Sequence, residues 1–251
     1  MSSGNDELDD TRSRRREVIA ANLASVREDI ATACRKADRD PSGVTLVAVT
    51  KTYPASDVRL LAELGVLDVG ENRDQEAAPK AADTEGLGLR WHFIGQLQTN
   101  KSASVAGYAR FVHSVDRGRL ARSLSAASIR YDKELTCLIQ VDLGNSLSME
   151  QAAAHSGSQA RGGALPAEVP ELADVIAAAP GLELGGLMAV APLGADPARA
   201  FAELAALATR LRTDHPCATM ISAGMSGDLA EAVAAGATHV RIGGAILGSR
   251  T

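Results

Sequence analysis

Aromatic side chains are scarce: one Trp, three Tyr and three Phe make up 3% of the 251 residues. The core must therefore be filled by Ala, Val, Leu and Ile. Cysteine is sparse too, at Cys34, Cys137 and Cys217. That number is odd, the spacing is wide and no CxxC pair occurs, so neither a disulfide framework nor a metal site is expected. The reading is reduced, buried thiols in a cytoplasmic protein. The first ten residues, MSSGNDELDD, contain no apolar run and so make no secretory signal. No stretch approaches the roughly 20 apolar residues of a membrane span. A basic surplus is also lacking. The net charge is −5, which argues against an extended nucleic-acid surface. The local cluster Arg12, Arg14, Arg15 and Arg16 opens an amphipathic pattern and reads as a solvated helix face.

What is present is a rhythm. Residues 1–11 are polar and acidic and read as a disordered tail. Residues 12–251 read as one domain. A helix to about Arg35 carries Val18, Ile19, Leu23, Val26 and Ile30 at helical spacing. After Pro41, short apolar runs alternate with helical segments. The strand candidates cover residues 45–50, 66–70, 90–95, 111–115, 135–142, 182–190, 218–222 and 238–243. Strand–helix alternation means a parallel sheet. Eight such units in about 250 residues predict a closed (β/α)8 TIM-type barrel with an extra N-terminal helix. One connection breaks the rhythm: residues 143–164, rich in Gly, Ser and Ala, read as a long loop at the barrel mouth.

Active residues of such barrels lie at the C-terminal ends of strands. Those ends supply Lys51, Glu71, Asn72, Gln96, Asp116, Asp142, Ser222 and Arg241. Lys51 directly follows the apolar strand LVAVT. Partial burial there would free its amine as a nucleophile. Two Gly-rich turns follow the seventh and eighth strands: SAGMSGDL (222–229), with Ser222, Gly224, Met225 and Ser226, and RIGGAILG (241–248), with Gly243 and Gly244. Turns after the last two strands are the habitual phosphate site of this fold. A lysine amine facing a phosphate cradle suits pyridoxal 5′-phosphate (PLP), and equally a Schiff-base aldolase acting on a phosphorylated sugar. The residue chemistry leaves both open. His92 and His113, inside the third and fourth strands, read as hydrogen-bonded barrel residues rather than metal ligands.

The stretches LVAVTKTYP, VGENRDQE, WHFIGQLQTNK, HSVDR, GLMAVAP, SAGMSGD and VRIGGAILG run in order along nearly the whole chain. In them the sequence resembles the pyridoxal-phosphate homeostasis protein family, single-domain relatives of the alanine racemase barrel. The resemblance implies a fold-type III barrel that binds PLP through a Schiff base on Lys51. It places Asn72 near the cofactor's phenolic oxygen, and Ser222, Gly224, Gly243 and Gly244 at its phosphate. Arg241 would face the pyridine nitrogen. An arginine there should keep that nitrogen unprotonated and the ring a poor electron sink. Alanine racemase also draws an acid/base residue from a C-terminal β-domain, which this sequence is expected to lack; Tyr53 is the nearest substitute but reads better as a packing or rim residue. The implied function is PLP homeostasis, that is buffering, carrying or delivering the cofactor to PLP-dependent apoenzymes, as a monomer or weak homodimer. A low-activity amino-acid racemase is the enzymatic alternative. Arg73 stands where the family often has Tyr, and Leu247 where it often has Phe. Arg161, in the long loop, is a further basic residue for the mouth.

Overall fold

The computed structural model describes residues 3–144 and 162–248. Eight parallel strands close on themselves in chain order. They are β1 (Thr45–Val49), β2 (Asp68–Glu71), β3 (Arg90–Phe93), β4 (Phe111–Val115), β5 (Leu135–Gln140), β6 (Leu182–Met188), β7 (Met220–Ser222) and β8 (His239–Ile242). Each falls within two residues of its predicted run. β1 closes the barrel against β8, with Ala48 opposite Ile242. The crossover helices are α2 (Ala55–Glu63), α3 (Asp74–Asp83), α4 (Ser102–Tyr108), α5 (Gly118–Tyr131), α6 (Val169–Ala177), α7 (Pro197–Asp214) and α8 (Leu229–Ala234). A short α9 (Gly244–Leu247) follows the last strand. Most of the predicted loop at 143–164 lies outside the described residues.

The helix ahead of the barrel, α1, runs from Ser3 to Lys36 and so begins within the segment read as a tail. Arg14 pairs with Asp10 one turn earlier at 2.5 Å, which favours continuing the helix. Ile19, Leu23, Val26 and Ile30 are buried against Leu60, Leu61, Val233, Val240 and Ile246. Val18, expected on the same face, is exposed instead. It lies one position before Ile19, and about 100° of helical turn carries it out of the stripe. The arginine cluster is spent inside the chain. Arg15 grips Asp57 through two bonds (3.1 and 2.6 Å) and donates to the Leu247 carbonyl at 2.9 Å. Arg12 and Arg16 pair with Glu63. Helix α1 thereby clamps α2 and α9 across the β1–β8 seam. Among the described residues no helix is long and apolar enough to cross a membrane.

Candidate functional site

Lys51 leaves β1 on a tight turn. The Tyr53 N–H donates to the Thr50 carbonyl at 3.0 Å, and Thr52 has φ +73°. A positive φ at the third position of a four-residue turn normally calls for Gly or Asn. For a β-branched residue it is strained, by about 1–2 kcal/mol. The surroundings impose it. The Thr52 N–H donates to Glu76 Oε2 at 2.9 Å, and the Tyr53 hydroxyl donates to the Gly248 carbonyl. The turn lifts Lys51 into solvent; it is exposed, so the partial burial expected for it is not found. Tyr53, read from the sequence as a packing or rim residue rather than an acid, has its hydroxyl committed to fastening the end of α9.

Beneath this turn lies a charged cluster. Glu71, fully buried at the end of β2, accepts from Lys80 Nζ at 2.7 Å and Thr50 Oγ1 at 2.8 Å. Lys80 also donates to the Thr50 carbonyl at 2.8 Å. Burial pushes the Glu71 carboxyl above its ordinary range, against the bonds from Lys80 and Thr50. Lys80 was not anticipated as part of the site. It lies on α3 nine residues past the strand end, and only packing shows that it folds back. Asn72, next in the chain, is half-buried. Gly95, after β3, holds it in place: a Cβ there would overlap the Asn72 carbonyl oxygen and stand 2.7 Å from its C and Cα.

The Gly-rich turns sit on the adjoining strands. A Cβ on Gly243 would meet the Val49 carbonyl at 3.1 Å, so this turn lies against the end of β1, two residues from Lys51. Gly244 has open space where a side chain would be. Gly224, at φ +92°, turns the chain after β7. Its successor Met225 is exposed, and its N–H is taken by Asp228 Oδ1 at 2.6 Å. Ser226 is exposed on the same turn. Ser222 departs from its expected role. It is fully buried, and its Oγ accepts from Arg241 Nη1 at 2.6 Å and lies 2.9 Å from His113 Nδ1. A hydroxyl so engaged inside the barrel has no bond left for a phosphate, and Ser226 is the serine of this turn that faces outward. Arg241 is buried and also donates to the Ala189 carbonyl at 2.9 Å. Burial draws its pKa down to about 10, which leaves it charged at neutral pH. Asp116 and Asp142 act locally, on Arg117 and the Gly144 N–H. Arg161 lies outside the described residues.

An exposed amine, a buried cation and open Gly-rich turns at one barrel mouth fit a small molecule with an aldehyde, a basic ring nitrogen and a phosphate. The comparisons agree with that donor set. Residues 21–251 match the family described as alanine racemase, N-terminal domain. The pyridoxal phosphate homeostasis protein of Pseudomonas aeruginosa PAO1 is 39% identical, over 92% of this chain and 96% of its own. Its counterpart from Escherichia coli K12 is 38% identical, over 92% and 97%. Among solved structures, PipY of Synechococcus elongatus PCC7942 with PLP bound superposes with a TM-score of 0.73, at 31% identity, over 92% of this chain and all of that one.

Proposed function

We infer the function from membership: the chain belongs to the pyridoxal phosphate homeostasis protein family, and it binds PLP at the barrel mouth to buffer, carry or deliver the cofactor. The observation that carries this reading is the packing of the Gly243 turn against Val49, two residues before Lys51, with Arg241 on strand β8 paired to β1. PLP supplies an aldehyde that condenses with a primary amine, with loss of water. Lys51 offers that amine, as a Schiff base in the resting protein. Gly244 leaves room for a phosphate close to the backbone, beside the exposed Ser226, while Gly224 and Gly243 let their turns pack tightly against Ala232 and Val49. Arg241 would hold its cation toward the ring nitrogen, and Asn72 would face the phenolic oxygen.

Exposure of Lys51 suits a carrier, because a link at the surface stays open to exchange with another amine. The recipients would be PLP-dependent apoenzymes. Free Cys217, exposed, beside buried Cys34 and Cys137, supports a reducing, cytoplasmic setting.

The test is direct. Purified protein loaded with PLP should show a visible absorbance band that borohydride abolishes, with the cofactor's mass fixed on the Lys51 peptide. Lys51→Ala should lose the band and stay folded, since an exposed residue contributes little packing. A band that survives in that variant would place the link on another lysine. Amino-acid turnover within the ordinary enzyme range of about 1–1000 per second would replace the carrier by a racemase.

A further inference from the structure

The lumen of this barrel is not the apolar fill usual for the fold. A hydrogen-bonded column of polar side chains crosses it. Ser222 Oγ, on β7, lies 2.9 Å from His113 Nδ1, on β4. Those strands are not neighbours, so the bond spans the lumen. His113 Nε2 lies 2.9 Å from His92 Nδ1, and His92 Nε2 lies 3.0 Å from Asp68 Oδ1. Asp68, the first residue of β2, is gripped by Arg90 through a 2.7 Å bond from Nε and a second from Nη2. Arg241 stands at the other end of the column. Asp68 and Arg90 line a cavity of about 470 Å³ at the base of the barrel, with Arg27, Ser42 and Thr45. The column thus runs from the candidate PLP site to the opposite end of the protein.

We propose that Asp68, His92, His113 and Ser222 form a one-directional hydrogen-bond relay that positions Arg241 and brings the basal carboxylate to bear on its charge. The two ends decide the order. A guanidinium only donates and a carboxylate only accepts. His92 therefore donates Nε2–H to Asp68, which leaves its Nδ1 to accept. His113 then donates Nε2–H to His92, which leaves its own Nδ1 to accept. Ser222 donates its hydroxyl proton to His113 and accepts from Arg241. Each ring nitrogen in the column makes one bond, with Asp68 Oδ1 accepting from both His92 and Arg90, and with both rings neutral no bond can be reversed without leaving its neighbour two protons or none. Such chains polarise each bond in turn. Ser222 Oγ thus reaches Arg241 as a strengthened acceptor, although no carboxylate among the described residues touches the guanidinium.

The surroundings keep the rings neutral. Burial pushes His113 well below 6.5, helped by the charges of His92, Arg241 and His239. Burial likewise lowers His92, against the pull of Asp68. Burial opposes ionisation of Asp68, but the bonds from Arg90 and His92 prevail and hold it below its ordinary range. His239 packs edge-on to His113, ring centroids 6.5 Å apart, and Phe111 stacks on His92 at 4.3 Å. Asp68, Arg90, Arg241 and Asp228 complete the charged groups that act on the column. A proton added to His113 would drive a second donor onto Ser222 Oγ, which Arg241 already occupies.

The experiment starts on protein without PLP, so that it does not depend on the proposed function. Side-chain ¹⁵N spectra of His92 and His113, assigned with His92→Gln and His113→Gln, should show neutral Nε2–H rings for both between pH 6 and 8. An Nδ1–H ring or an imidazolium at either position overturns the relay. Asp68→Asn can donate to His92 and should convert His113 to the Nδ1–H form. It should also move the Arg241 guanidinium ¹⁵N resonances. Arg90→Gln, which removes the other partner of Asp68 but keeps its charge, should do neither; equal effects would reduce Asp68 to a structural ion pair. A second arm rests on the reading that the PLP ring nitrogen faces Arg241. There, Asp68→Asn should weaken PLP binding about tenfold, the loss of one charge-assisted bond. Unchanged affinity alongside reversed rings overturns the coupling to Arg241. Should Asp68→Asn fail to fold, the wild-type rings and Ser222→Ala, with the same tenfold expectation, decide. Absence of PLP on Lys51 with correctly ordered rings would sink the proposed function and leave the relay intact.

Discussion

Replacing Gly95 by Ala tests whether Asn72 is held by backbone packing. A Cβ there would stand 2.7 Å from the Asn72 Cα, against the 3.4 Å at which ordinary contact begins. Its backbone would have to retreat by about 0.7 Å, and more to clear its own carbonyl oxygen. The three nearest atoms all belong to the Asn72 main chain, which cannot yield as a flexible side chain would. Overpacking of this kind costs about 1–3 kcal/mol. For a domain of this size each kcal/mol lowers Tm by about 2–4 °C, so a drop between about 2 and 12 °C is expected. A displacement approaching 1 Å at a positioning group costs on the order of 100-fold, which bounds the expected loss in PLP affinity. Thermal unfolding followed by PLP titration of Gly95→Ala measures both. A Tm within 1 °C of the parent, or undiminished affinity, would refute the reasoning that Gly95 sets the place of Asn72.

Gly244→Val makes the contrasting case, since the side chain enters open space. Its Tm should hold while PLP affinity falls and affinity for unphosphorylated pyridoxal stays level; equal losses for both ligands would remove the phosphate from this turn. Thr52→Gly should raise Tm modestly, because relief of about 1–2 kcal/mol of strain exceeds the roughly 0.5–1 kcal/mol entropic cost of glycine. A lower Tm would mean that the turn is not strained. Stability should also fall in mild acid. Burial pushes His92, His113 and His239 below 6.5, His239 to about 4. Above pH 6.5 both states leave these rings neutral and stability is full; as pH falls below 6.5 the unfolded chain binds protons that the folded rings refuse, His239 doing so down to about 4. Each ring that stays neutral adds at most about 1.4 kcal/mol per pH unit to the slope. Urea midpoints that stay flat from pH 7 to 5 would contradict this, and His239→Gln should flatten the slope by about a third.

The eight strands were legible because each apolar run is short and bounded. Lys51, Asn72, Gly243 and Gly244 were read from position and from the family resemblance. What stayed hidden depends on distance in sequence. His92 and His113 read correctly as hydrogen-bonded, but their partners come from β2 and β7, and only strand register and closure bring these together. Ser222 read as a turn hydroxyl because it ends a strand beside glycines; whether such a residue points outward or into the lumen depends on a one-residue phase that the sequence leaves open. The left-handed Thr52 had no signal at all, since nothing about threonine announces a positive φ. Val18 shows the reverse error, an apolar residue adjacent to the true stripe and counted with it.

The seam between β1 and β8 has a consequence for when the cofactor could be taken up. Lys51 and Gly244 are about 190 residues apart in the chain but belong to one pocket. At the usual pace of about 5–20 residues per second, the ribosome delivers the amine roughly 10–40 s before the Gly-rich turn that stands beside it. During that interval the lysine has no phosphate holder and the barrel is open along its length. Loading must then wait for the last strand to dock under α1. On this reading the proposed site is complete only once β8 has paired with β1.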